Sequence, residues 1–122
     1  MSSDSQYPGS LTFHVTTQDV LEAIKQRDDP DGRYTACASC PGSRALRRSI
    51  VEVDGPYHAA FSDMESPIIE LMRHRILISD ASSCLGACYD VPDDLMDFTV
   101  TFDYARLRSN FTGATFTVTR SY

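Results

Sequence analysis

The sequence predicts a small single-domain α+β fold, with an antiparallel or mixed sheet of three to five strands and two or three helices. Three observations lead there. The chain has 122 residues, 42% hydrophobic and 23% charged, which suits one ordinary globular domain. Short stretches near both ends place apolar residues at every second position, as strands facing one core require. Between them lie stretches with apolar residues three and four apart, introduced by helix-start residues. A chain of this length buries enough surface to fold without a disulfide or metal staple.

Taken in order, residues 1–10 are polar and small up to Pro8-Gly9 and read as a flexible arm, leaving 11–122 as the domain. Leu11, Phe13 and Val15 alternate as a half-buried strand. Thr16 or Thr17 then caps a helix, because a hydroxyl oxygen accepts from the unpaired amides of the first turn. Val20, Leu21 and Ile24 form that helix's apolar stripe, and it stops near Gln26, before the turn Asp28-Asp29-Pro30-Asp31-Gly32. A second helix is expected from about Pro41 to Arg48, since proline is favoured at the first helical position.

Ile50, Val51 and Val53 read as a strand, and Tyr57 to Phe61 as a second one. Pro67 to Met72 reads as the start of a helix, Arg75 to Ser79 as a strand, and Ala81 to Cys88 as a loop of small residues. Val91-Pro92-Asp93-Asp94 is a helix start with two acids in the first turn. Phe98 to Phe102 alternates in a strand-like way, but the cap signals favour a helix over 92–104. Asn110 to Gly113 is a turn, and Thr115 to Thr119 closes the chain as a strand with Phe116 and Val118 on one face.

The formal net charge is −6, which opposes unspecific binding to nucleic acid or to anionic membrane. No apolar run is long enough to span a bilayer, and the first ten residues lack the apolar stretch of a signal peptide, so the chain is expected to stay in the compartment where it is made. The charge is uneven. Arg33, Arg44, Arg47 and Arg48 fall in a stretch without acids, and Asp90, Asp93, Asp94, Asp97 and Asp103 in one without bases. The two stretches either face each other or sit in solvent, or else Arg44, Arg47 and Arg48 form the surface that meets a partner.

The most specific local feature is Cys37-Ala-Ser-Cys40-Pro41 at a helix start. With Cys84 and Cys88 it supplies four thiolates, the ligand number of a tetrahedral zinc site, and His58 or His74 are alternative ligands. A thiol redox reading of Cys37 and Cys40 draws on the low pKa of a cysteine at a helix N-terminus, but the residues before Cys37 do not form the strand such enzymes use. Neither His14, His58 nor His74 stands at a recognisable spacing from a nucleophile, so no catalytic residue is assigned. Asp93, Asp94 and Asp97 are accounted for by the positive end of their helix.

The order of these segments resembles a group of small uncharacterised proteins from actinobacteria and their phages. The resemblance is carried by Val15-Thr16-Thr17-Gln18-Asp19-Val20, by Cys37-Ala-Ser-Cys40-Pro41 with Ala45-Leu46, by Val91-Pro92-Asp93-Asp94-Leu95-Met96-Asp97-Phe98 leading to Phe102-Asp103, and by Phe116-Thr117-Val118. The group's second element reads C-x-x-C-P-I-A-x-A, whereas this chain has Gly42-Ser43 after the proline. The resemblance implies a phage setting, with host cytoplasm or a virion as the expected location, and no chemistry. The expected function is a non-enzymatic phage-encoded binding protein, either a minor capsid or tail component or an accessory factor that engages a host protein. The alternatives are a zinc-stabilised regulatory or nucleic-acid-binding module, an inhibitor of a host immune protein, and a thiol redox enzyme.

Overall fold

The computed structural model describes residues 7–31, 39–103 and 113–121. In chain order the elements are β1 (Ser10–Val15), α1 (Thr17–Asp28), α2 (Pro41–Val51), a 3-10 turn (Ala59–Phe61), β2 (Pro67–Leu71), β3 (Arg75–Asp80), β4 (Gly86–Asp90), α3 (Asp93–Asp103) and β5 (Ala114–Arg120). The five strands form one antiparallel sheet in the order β1-β5-β4-β3-β2. The α+β class is therefore as expected.

The sheet is curled. Strand β4 pairs with β5 only at Tyr89–Arg120 and Asp90–Thr119, so the β1–β5 pair and the β2–β3–β4 meander meet at a short junction. The two edge strands, β1 and β2, both pack against α2. That helix lies in the concavity and buries Ala45, Leu46 and Ile50. Leu11, Phe13, Val15, Ile69, Leu71, Ile76, Ile78, Tyr89, Phe116 and Val118 of the sheet belong to the same core.

The cap signals are realised. Thr16 Oγ accepts from the Asp19 amide at 3.1 Å, and the Asp19 carboxylate accepts from the Thr16 amide at 2.9 Å, a reciprocal capping box. Pro41 opens α2, as its missing N–H allows. Asp93 and Asp94 occupy the first turn of α3. Arg27, near the end of α1, donates to the Phe102 carbonyl at 2.8 Å and stacks over the Phe102 ring. Gly42 lies close against β2: a Cβ there would stand 2.7 Å from Leu71 Cδ2, so the missing side chain suits the contact between α2 and β2.

Four expectations are corrected. Ile50 and Val51 end α2 rather than starting a strand, because Ile50 continues the buried helical face of Leu46, and Val53 is 85% exposed. Tyr57 to Phe61 is a turn and a 3-10 turn, since Pro56 and Gly55 are followed by a backbone that folds back on α2 through Tyr57 N–H donating to Ser49 O. Pro67 to Leu71 is a strand, where Ile69 and Leu71 face the core and pair with β3 through the tight turn at Arg73-His74. Gly86 to Cys88 belongs to β4, a central strand buried on both sides at Ala87, Cys88 and Tyr89, which erases the alternation that marks a half-buried strand.

Part of the stretch expected to be an arm is packed. Tyr7 is 7% exposed, stacks on Phe61 and donates to the Asp63 carboxylate. Burial first, and the Asp63 carboxylate second, push the Tyr7 phenol up to about 12, so it stays a donor at neutral pH. Tyr89 O–H donates to the Pro8 carbonyl at 2.7 Å. The remaining arm residues 1–6, the end of the turn at Gly32 and the turn positions 110–112 lie outside the described residues.

The free side of β1 is closed by side chains. Arg120 N–H donates to Gly9 O, so odd-numbered β1 residues face β5 and Thr12 and His14 turn their peptide groups outward. Tyr57 O–H accepts from the Thr12 amide at 2.6 Å and donates to the Thr12 carbonyl at 3.3 Å. Arg48 donates to the His14 carbonyl at 3.2 Å. Tyr57→Phe is expected to cost about 1 kcal/mol, the usual worth of such a bond. Hydrogen exchange at the Thr12 amide should quicken in that variant, and unchanged exchange there would mean that Tyr57 does not guard this edge.

Candidate protein-interaction surface

The three arginines expected to bind a partner all lie on α2, but they are not equivalent. Arg48 reaches back to α1, where its guanidinium holds both Asp19 carboxylate oxygens, at 2.5 and 2.8 Å. Asp19 is 5% exposed. Burial works against its charge, yet Arg48 and the Thr16 amide outweigh that and hold the carboxyl below the usual carboxylate range. The same contact raises the Arg48 guanidinium. Arg44 donates to the Gln26 side-chain carbonyl and, at 3.1 Å, to the Ser39 carbonyl. Both residues therefore tie α2 to its surroundings.

Arg47 is different. It is exposed, and no described residue forms a hydrogen bond or ion pair with its side chain. It stands on a ridge between two open grooves. One, of about 340 Å³, runs between α1 and α2 and is lined by Gln18, Glu22, Arg44, Val51 and Glu52 among others. The second, of about 370 Å³, runs between α2 and the edge of β2, with Val51, Ser66, Pro67, Ile68, Ile69 and Ala81 along it. Ile68, on the outer face of β2, is 41% exposed.

The Asp-rich segment does not face these arginines in the way the charge pattern allowed. Arg48 pairs with Asp19 of α1, and Asp93, Asp94 and Asp97 are exposed on α3. A third, shallow groove of about 730 Å³ lies between Arg73-His74 at the hairpin tip and Met96, Asp97, Val100 and Thr101 of α3.

The cysteines are dispersed in character. Cys40 is wholly buried as the N-cap residue of α2, with its thiol directed to Ser43 Oγ at 3.4 Å. Cys88 is buried in β4, and Cys84 is exposed in the loop before it. Cys37 lies outside the described residues. Among the described residues no three His, Cys, Asp or Glu side chains gather to hold a metal, so Cys40, Cys84 and Cys88 form no such group. His58 Nδ1–H donates to the Ile50 carbonyl at 3.2 Å, and His14 is bonded to Thr115 Oγ1 at 2.9 Å. Among the described residues no helix is long and apolar enough to cross a membrane.

Comparison of the chain with protein-family models, with curated proteins and with solved structures finds no match. The physical reading of the surface thus stands on its own residues.

The sequence pointed to the arginine stretch but did not separate its members. The i, i+4 spacing of Arg44 and Arg48 puts them on one helix face, turned toward α1, while Arg47 is rotated off it. The β2 edge was missed altogether, because Pro67 reads equally well as a helix start.

Proposed function

We propose that this chain is a non-enzymatic binding protein that engages another polypeptide through the surface around Arg47, in the phage setting that the resemblance implies. The observation that carries the reading is the sorting of the cations. Among the described residues, Lys25, Arg47, Arg73 and Arg75 have side chains with no hydrogen bond or ion pair to a described residue. Three of them, Arg47, Arg73 and Arg75, stand at the two ends of β2. A chain of net charge −6 that leaves these cations solvated, with Arg47 beside an exposed Ile68, carries a local surface suited to an anionic partner with apolar side chains. Glu70, half-buried on the outer face of β2, is the carboxylate between them.

The test is selection of short random peptides displayed on a carrier against the immobilised protein. Enrichment over a surface without the protein is expected. Arg47→Glu should weaken the selected peptides by about tenfold or more, as loss of an interfacial arginine commonly does. Lys25→Glu, a charge reversal on α1, should leave their affinity unchanged. Selection of nothing, or equal weakening by both variants, removes the reading.

A further inference from the structure

The two edges of the sheet are treated differently, and that difference says how a partner is held. The β1 edge is closed by Tyr57 and Arg48. At the other edge, Met72 N–H donates to Arg75 O at 2.8 Å and Ala81 N–H to Ser66 O at 3.0 Å. In this ladder Ile68 and Glu70 therefore bond to β3, and Pro67, Ile69 and Leu71 turn their peptide groups outward. No described residue outside the β2–β3 ladder bonds to the Ile69 or Leu71 amides, or to the carbonyls of Pro67, Ile69 and Leu71. The side chains of Ile69 and Leu71 are buried in the core, so what they turn to the edge is backbone.

We infer that β2 accepts an extended, acidic segment of a partner polypeptide as a sixth strand. The inference rests on the reading of the chain as a binding protein. An unpaired edge is a template for an incoming strand, whose main-chain bonds supply affinity while alternate side chains supply specificity. The groove beside this edge carries the recognition elements: Arg47 and Val51 on the helix side, and Pro67 and Ile69 on the strand side. Arg47, which lines the groove and has no hydrogen bond or ion pair to a described residue, sets the preference for carboxylates. Pro67 lacks an N–H, so the pairing is strongest from Ile69 onward. A second copy of this chain fits less well, since two bodies of formal charge −6 repel and a two-fold at β2 would bring like cations together.

The experiment uses a peptide selected against the full protein, resynthesised with single backbone N-methyl groups. Along a paired strand, only every second amide points at the edge. Methylation at one parity is expected to weaken binding by about tenfold or more, and at the other parity to leave it unchanged. Hydrogen exchange at the Ile69 and Leu71 amides should slow on binding, while Thr12 is unaffected. If the peptide depends on Arg47 but is indifferent to N-methylation at both parities, strand addition is overturned and the binding surface stands. If the protein alone dimerises with slowed exchange at Ile69 and Leu71, the occupant is a second copy and the inference as stated fails.

Discussion

Arg48→Met is expected to lower the unfolding free energy by about 2 kcal/mol at neutral pH. The figure is below the full cost of breaking a buried ion pair because the Arg48 side chain is 39% exposed. The loss has two sources. Asp19, only 5% exposed, keeps its charge but loses both guanidinium contacts and retains those from Thr16. The His14 carbonyl on the β1 edge also loses its donor. Asp19→Asn combined with Arg48→Met should recover about 1 kcal/mol, because it removes the stranded charge while keeping an oxygen for the cap. Urea unfolding of the single and double variants measures both quantities. A double variant no more stable than Arg48→Met would show that the stranded charge is not the cause.

The pH dependence has a definite sign. In the folded protein Asp19 and Asp80 both lie below the usual carboxylate range: Asp19 through Arg48 and the Thr16 amide against its burial, and Asp80 first through the Ser66 amide and then the Ser82 amide and Ser83 hydroxyl. The unfolded chain therefore binds more protons in the window below about pH 4, and stability falls as pH drops through it. In Arg48→Met the contacts that oppose burial at Asp19 shrink to those from Thr16, so protonation there costs less than in the wild type. The stability gap between wild type and variant should narrow as the pH is taken from neutral toward that window. A gap independent of pH would mean that Arg48 acts by packing alone.

What could be read from residues alone depended on whether local signals agreed with burial. Thr16, Pro41 and the Asp93-Asp94 pair announce helices by chemistry that acts within one turn, and α1, α2 and α3 begin there. Strands β1 and β5 face water on one side, so their alternation is visible in Leu11, Phe13 and Val15 and in Phe116 and Val118. Strand β4 is central and β2 is short and opens on proline, and in both the deciding fact is pairing with β3, which no local window contains. The candidate surface follows the same division. That α2 carries arginines is legible; that two of the three are engaged by Asp19, His14, Gln26 and Ser39 is a consequence of tertiary packing.

Leu46→Ala should be more damaging still, at about 3 kcal/mol, the middle of the range for emptying a buried leucine site. Leu46 is 0% exposed and sits on the face of α2 that fills the concavity of the sheet. The helix packs on both edge strands, so the hole left at Leu46 cannot be closed by moving α2 toward one edge without drawing it from the other. Gly42 already sets the closest approach to Leu71 on the β2 side. On the β1 side the helix is held by the Arg48 bond to His14. The cavity should therefore persist rather than collapse, which is the condition for a cost near or above the middle of the range. Val53→Ala, two residues beyond the helix end and 85% exposed, serves as the control and should change stability by less than about 0.5 kcal/mol. Chemical denaturation of both variants decides the matter. If Leu46→Ala were as mild as Val53→Ala, α2 would not be the element that holds the curled sheet together, and the geometry of the β2 groove beside it would lose its support.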